Sequence, residues 1–211
     1  MNILIYIRKM VNQLDCISNI YCYKSKSNKN TKLIVNIIYY TIIFLPLIIG
    51  MTIGGIYGQK WKEDKYKNIK KPKFYPPNYL FSIVWPILYL IIGGVYSYSL
   101  YDFDCKPFGM SKCGMNIYYK KIIYWILPTL ALIFNFLYIP VFFSENGFFN
   151  SFIIIVITLI LSILTLIQFS IYRTFSMKIT QDIYIFGYMI YIVWLLYATY
   201  LSYNVYILNK N

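Results

Sequence analysis

Residues Lys70–Tyr89 read KKPKFYPPNYLFSIVWPILY and lead from a basic loop into an apolar helix. Pro76 and Pro77 fix φ at about −65° and suit the first turn of a helix, where a missing N–H group costs nothing. Pro72 disfavours the α region for Lys71, so the loop should enter this helix from an extended conformation. An order of lysines, aromatic residues and then hydrocarbon side chains is expected on crossing from water through headgroups into lipid. The stretch therefore predicts a membrane span that starts just after the two prolines.

Five segments of the chain are long and apolar enough to cross a bilayer, which takes about 20 residues. None of them contains Asp, Glu, Lys or Arg, and a charge at mid-bilayer is costly. The chain as a whole is 59% hydrophobic, with a mean hydropathy of +0.56. We predict an all-α membrane protein, a bundle of five transmembrane helices: Leu33–Gly58, Tyr79–Tyr101, Ile122–Phe143, Phe149–Tyr172 and Ile183–Leu208.

Residues 33–211 should form this single transmembrane domain, and residues 1–32 an extension ahead of it. Apolar residues recur at helical spacing in the extension around Arg8 and Lys9, and a polar tract, SKSNKNTK, follows. This pattern favours an amphipathic or organelle-targeting segment that is partly disordered. An unstructured extension is the alternative. Between the second and third spans, Cys105 and Cys113 could pair in an oxidising compartment or remain free thiols.

Three motifs occur in order along the spans. The first lies within Lys71–Gly93, the second is NFLYIPVFF at Asn135–Phe143, and the third is WLLYATYLSY at Trp194–Tyr203. Together they resemble the translocator protein family, also called the tryptophan-rich sensory protein or peripheral-type benzodiazepine receptor family, from about Thr41 to Asn209. The resemblance implies a receptor or carrier for flat, apolar ligands: porphyrins and other tetrapyrroles, sterols, and benzodiazepine-type drugs. The first motif consists of Lys71, Pro72, Phe74, Pro76, Pro77, Trp85, Leu88, Tyr89 and Gly93.

The candidate ligand-binding residues form stripes at helical spacing on the second, third and fifth spans. We expect six of them to line one cavity that opens toward the loop before the second span: Trp85, Tyr89, Asn135, Tyr138, Trp194 and Ala198. The aromatic rings would supply π-faces, and Ala198 would leave a gap for a flat ring system. The residues are Trp85, Tyr89, Asn135, Tyr138, Phe142, Tyr191, Trp194, Ala198 and Leu201.

Asn135 is the strongest hydrogen-bonding side chain deep in the third span. An amide buried in hydrocarbon without a partner costs free energy, so Asn135 should point into the bundle. There it could offer a donor and an acceptor to a ligand or join two helices. Alternatives remain open for the rings as well: Trp85 could belong to an interfacial aromatic belt, and any of them could be simple core.

The loop Gln59–Tyr75 contains seven lysines together with Glu63 and Asp64. The resemblance implies that it folds as a lid over the mouth of the bundle, and a solvated basic loop is the alternative. The lid residues that the resemblance implies are Tyr66, Lys71, Phe74, Pro76 and Pro77.

Two further patterns concern lipid and partners. Leu201, Tyr206 and Lys210 fit a permissive cholesterol-recognition pattern near the end of the fifth span. Gly50 and Gly54 form a small-xxx-small ridge on the first span, which favours close helix packing within the monomer and leaves a homodimer open. Membrane lipid is an expected partner, and the resemblance favours the mitochondrial outer membrane.

Composition restricts the chemistry. The net charge of +13 comes from lysines that flank spans, where they can contact anionic headgroups, so we expect no nucleic-acid partner. The chain has no histidine, which removes the commonest general base and haem ligation through histidine; we expect no catalytic residue, metal or resident cofactor. The resemblance leaves one enzymatic alternative, photo-oxidative degradation of porphyrin through Trp85 and Trp194.

Overall fold

The computed structural model describes residues 29–97, 115–171 and 178–210. It divides the chain into two compact units, Met1–Tyr40 and Thr41–Asn211. Residues 1–28 and the pair Cys105 and Cys113 lie outside the described residues. The predicted amphipathic extension therefore stays a prediction, and the two alternatives for Cys105 and Cys113, a disulfide or free thiols, both stay open.

Most of the described residues are helical, and the longest non-helical stretches among them are residues 68–77 and 143–146. The elements in chain order are α1 (Lys29–Gly58), a 3₁₀ helix (Gln59–Lys62), α2 (Asp64–Lys67), α3 (Asn78–Tyr96), α4 (Met115–Phe142), α5 (Gly147–Ile171) and α6 (Lys178–Asn209).

Five helices within the described part of the chain are long and apolar enough to cross a membrane, which confirms the predicted fold class. Helix α3 begins directly after Pro77, as the paired prolines predict. Prolines also lie inside α1, α3 and α4, where membrane helices tolerate them because neighbouring groups satisfy the freed carbonyls. The spanning segments are Tyr40–Lys62, Asn78–Tyr96, Trp125–Phe142, Gly147–Ser170 and Ile185–Asn209.

Helices α1 and α3 approach closely at two glycines. A methyl group at Gly50 would overlap the ring of Tyr89, and one at Gly93 would overlap the backbone carbonyl of Ile43. Gly50 therefore packs within the monomer, as its place in the ridge predicts. Gly54 differs, because no atom of the described structure lies within 4 Å of a methyl group built there.

Two hydrophobic clusters fill the interior of the described helices. The central cluster contains the buried residues Tyr89, Ile92, Tyr188, Tyr191 and Leu195, among others, and lies where α3 and α6 meet α4 and α5. The second cluster is at the loop end, around the buried side chains of Tyr66, Phe142, Phe143 and Val205. The outward faces of the spans carry exposed Ile, Leu, Val and Phe, as expected where lipid surrounds a helix.

Candidate ligand site

The two tryptophans of the motifs lie against each other in the interior. The ring centroids of Trp85 on α3 and Trp194 on α6 are 6.4 Å apart, with the planes at 87°. Tyr89, one turn further along α3, packs on Trp85 at 5.6 Å. The edge-to-face geometry of the two indoles is a favourable one for aromatic pairs. The second and fifth spans thus bring their aromatic stripes together, as the spacing predicts.

The indole N–H of Trp194 is buried and has no hydrogen-bond acceptor among the described residues. A buried donor without a partner costs about 1–3 kcal/mol. The ring itself is held on several sides, by Phe81 at 6.0 Å and Tyr197 at 5.6 Å in addition to Trp85. The indole is therefore well positioned and keeps one unused donor for an acceptor atom.

Asn135 joins three helices through its side-chain amide. The hydroxyl of Tyr89 on α3 donates to its Oδ1 at 3.1 Å, and its Nδ2 donates to the hydroxyl of Tyr191 on α6 at 2.9 Å. Only 4% of the residue is exposed, which confirms the predicted inward orientation. An amide oxygen accepts two hydrogen bonds and the NH₂ group donates two, so one of each remains after these contacts. Asn135 therefore mainly links three helices, and one donor and one acceptor site of its amide remain for a ligand.

A second buried polar contact lies one level further along the same helices. The hydroxyl of Tyr96 donates to the backbone carbonyl of Pro128 at 3.0 Å and lies 3.4 Å from the hydroxyl of Tyr188. The motifs do not include these tyrosines. A usable signal exists, since Tyr96 follows Tyr89 by two helical turns on the same face of α3, and Tyr188 precedes Tyr191 by three residues.

The remaining candidate residues divide between the two clusters. Ala198 is a buried member of the central cluster, and Tyr138 packs on both clusters. Phe142 belongs to the loop-end cluster, with its ring 6.1 Å from that of Tyr138. Leu201 is buried but is a member of neither cluster. The structure therefore brings Trp85, Tyr89, Asn135, Tyr191, Trp194 and Ala198 together and leaves Phe142 and Leu201 at the periphery.

The loop end is closed by aromatic packing. Tyr66 is buried, with its ring 4.7 Å from Phe143 and 6.2 Å from Phe142. Trp61, a residue outside the motifs, packs on the same two phenylalanines at 5.2 and 5.4 Å. Burial, and secondarily the charge of Glu63, raises the pKa of Tyr66. This half of the loop is therefore anchored on the bundle through its aromatic side chains.

The second half of the loop leads to the tryptophans. Tyr75 packs on Phe81 at 5.7 Å, and Phe81 packs on Trp194. Burial raises the pKa of Tyr75 to about 12, with smaller contributions from Tyr138 and Tyr197. The ammonium group of Lys71 lies 4.7 Å above the Tyr75 ring, a cation–π contact.

Three other lid candidates lie at the surface or its edge. Phe74 is 67% exposed, and its backbone carbonyl accepts a hydrogen bond of 2.7 Å from the hydroxyl of Tyr197. Pro76 is half-buried and Pro77 is exposed, as befits a helix entrance. Phe74 therefore contributes its backbone to the contact with α6, and its ring faces outward.

The residues of the cholesterol pattern do not share one environment. Leu201 is buried, Tyr206 packs on Phe149 at 5.2 Å, and Lys210 is exposed. Within the described ranges, no group of three or more His, Cys, Asp or Glu side chains could hold a metal ion.

Comparison with known proteins gives the family. The chain matches the model of the TspO/MBR family over residues 42–208, well over half of its length. The chain belongs to the TspO/MBR family. A curated translocator protein homolog of Schizosaccharomyces pombe is 32% identical over 106 residues, which cover 50% of this chain and 57% of that protein. The match thus spans little more than half the length of this relative. Family membership and five apolar helices make the chain an integral, multi-pass membrane protein of a ligand-binding family.

Proposed function

We propose that this TspO/MBR protein is a receptor or carrier that binds flat, apolar ligands beside Trp85 and Trp194. The ligand classes are porphyrins and related tetrapyrroles, sterols, and benzodiazepine-type compounds. An apolar site with a few convergent polar groups suits such ligands. Two indoles, the ring of Tyr89 and the small side chain of Ala198 supply the apolar surface.

The observation that carries the proposal is the unused N–H of Trp194. A ligand with a carbonyl, carboxylate or ring-nitrogen acceptor would satisfy this donor and at the same time stack on the neighbouring indole. The amide of Asn135 keeps one donor and one acceptor beyond its bonds to Tyr89 and Tyr191. The three groups would favour ligands with a polar atom on one edge of a flat ring.

A ligand that arrives from the loop side must displace aromatic side chains. Tyr75 and Phe81 connect the loop to Trp194 in an unbroken series of ring contacts at 5.7 and 6.0 Å. Binding would therefore begin with movement of the loop Gln59–Tyr75 and end with its return over the bound ligand. Such closure excludes water and makes the polar contacts inside stronger.

Tryptophan fluorescence tests the proposal. In a background with Trp61→Phe and Trp125→Phe, emission comes from Trp85 and Trp194 alone. We expect saturable quenching by protoporphyrin and by haem, with cholesterol tested as a competitor of protoporphyrin. A lack of saturable quenching by both tetrapyrroles in the folded, monodisperse protein would refute the proposal for this ligand class.

The paired indoles also support one alternative, photo-oxidative degradation of bound porphyrin. Photo-oxidation of a bound porphyrin through an indole requires the porphyrin to lie against that indole. The rings of Trp85 and Trp194 are 6.4 Å apart, so a porphyrin bound beside them would lie close to both. Illumination in the presence of oxygen should then remove porphyrin absorbance with wild-type protein and not with the Trp85→Phe, Trp194→Phe double variant. Equal loss of porphyrin absorbance with both proteins would contradict this alternative and leave the receptor or carrier function as the proposal.

We propose the mitochondrial outer membrane as the location, with membrane lipid and a small apolar ligand as partners. The resemblance to the family supports this location, and subfractionation of mitochondria with protease protection tests it. A homodimer is a further proposal. Its support is the open surface at Gly54, Gly55 and Gly58, where no atom of the described residues lies within 4 Å of an added methyl group.

A further inference from the structure

The side-chain amide of Asn209, in the last turn of α6, forms hydrogen bonds with the backbone of the loop Gln59–Tyr75. The N–H of Lys70 donates to Asn209 Oδ1 at 2.9 Å, and Asn209 Nδ2 donates to the Lys70 carbonyl at 2.9 Å. The second hydrogen of Nδ2 bonds the carbonyl of Val205 at 2.8 Å, one turn earlier in α6. Both donors and one lone pair of the amide are thus in use. One side chain pairs with both polar backbone groups of a residue 139 positions away.

A second contact joins the same two elements. The hydroxyl of Tyr197 donates to the backbone carbonyl of Phe74 at 2.7 Å. Tyr197 and Asn209 are separated by roughly 18 Å along the helix axis, so the loop segment Lys70–Phe74 is fastened to α6 at both of its ends. The next residue, Tyr75, is the one that packs on Phe81 and through it on Trp194.

We propose that Asn209 and Tyr197 are positioning residues that hold the loop Gln59–Tyr75 closed over Trp85 and Trp194 and set the rate at which a ligand leaves. Only the effect on the rate of ligand release rests on the proposed function. The contact of Asn209 with Lys70 is exposed and lies at the end of the span, where water can replace a broken hydrogen bond. The loop can therefore open at Lys70 without leaving buried groups unsatisfied.

Asn204 provides a comparison within the same helix, because it is also an asparagine of α6 but does not share the contact of Asn209 with the loop. The Nδ2 of Asn204 donates to the carbonyl of Tyr200 at 2.8 Å, the same one-turn bond that Asn209 makes to Val205. This hydrogen bond of Asn204 stays within α6, whereas Asn209 also bonds Lys70 in the loop. Asn204→Leu and Asn209→Leu are therefore a matched pair that differ in the contact to the loop.

The closed state is tested first without any ligand. We expect Asn209→Leu to speed hydrogen exchange of the Lys70 amide at least about tenfold, the equivalent of 1.4 kcal/mol. Trypsin should also cut the lysine-rich loop faster. Tyr197→Phe should speed exchange in the segment Lys70–Tyr75, and Asn204→Leu and Tyr203→Phe should match the wild type. Exchange and cleavage equal to these controls would overturn the proposal. Should Asn209→Leu not fold, Asn209→Gln, which shifts the amide by one methylene, replaces it.

Release is then tested with protoporphyrin by stopped-flow quenching. Opening of the loop should raise both the association and the dissociation rate constants, about tenfold for dissociation, and change the Kd less. Faster Lys70 exchange with unchanged rate constants would overturn the role in release. If wild-type protein binds no protoporphyrin, the proposed function fails for this ligand, and the exchange experiment still decides whether Asn209 holds the loop.

Discussion

Tyr89 packs its ring directly on Gly50, at a place where even a methyl group would overlap it. The hydroxyl of the same tyrosine donates to Asn135. The close approach of α1 to α3 therefore limits where the Tyr89 ring can lie, and with it the position of the hydrogen bond to Asn135. Helix α1 contributes no polar group to this bond. A glycine of the first span thus controls where a ring of the candidate site can lie.

Gly50→Ala should lower the stability of the protein. The added methyl group must push the Tyr89 ring or separate α1 from α3, an overpacking that costs about 1–3 kcal/mol. Gly54→Ala is the matched control, since it adds a methyl group to open space and removes a glycine from a helix interior, which should stabilise by about 0.5–1 kcal/mol. Thermal unfolding in one detergent compares the two variants. Equal shifts in Tm would contradict the packing described for Gly50.

Asn135 should couple energetically to Tyr89. Asn135→Leu leaves the Tyr89 hydroxyl buried without its acceptor, so Tyr89→Phe should cost less in the Asn135→Leu protein than in the wild type. We expect a coupling free energy of about 0.5–1.5 kcal/mol, since bonds of this kind inside membranes are worth about that much. A double-mutant cycle on the free energy of unfolding measures it. Strictly additive effects would show that the bond contributes nothing.

Tyr75 should make the stability of the protein depend on pH in the alkaline range. Its phenol ionises near pH 12 in the folded protein and near pH 10 in the unfolded chain. The contribution of the buried neutral phenol is therefore complete below pH 10 and falls as the pH rises from 10 to 12, because only the unfolded chain loses the proton there. Unfolding midpoints of the wild type relative to Tyr75→Phe should decline across this window. Parallel pH profiles for the two proteins would contradict it.

The periodic part of the architecture could be predicted from the sequence. The five spans, the helix start after Pro77 and the inward Asn135 follow from hydropathy, proline geometry and the cost of burying an amide, respectively. The meeting of Trp85 and Trp194 follows from motif order and helical spacing, given the family resemblance.

The remaining contacts depend on how separate helices are placed. Gly50 and Gly54 look equivalent along α1, yet only Gly50 meets a neighbouring ring, because the ring of Tyr89 reaches only that level of the helix. The bonds of Asn209 to Lys70 join a loop and a helix end 139 residues apart, and no periodicity marks either residue. Contacts of this kind require the three-dimensional arrangement.

The measurement that tests the ligand site most directly is a protoporphyrin titration of Ala198→Phe against Leu196→Phe. Ala198 is buried in the cluster that contains the indoles, and Leu196 is exposed on the outer face of the same helix. A site beside Trp85 and Trp194 predicts that Ala198→Phe weakens binding at least tenfold, about 1.4 kcal/mol. Leu196→Phe should bind like the wild type, and Trp194→Phe should lose less than Ala198→Phe because it keeps a π-face. Folded, monodisperse Ala198→Phe that binds protoporphyrin as tightly as the wild type would contradict a ligand site at these residues.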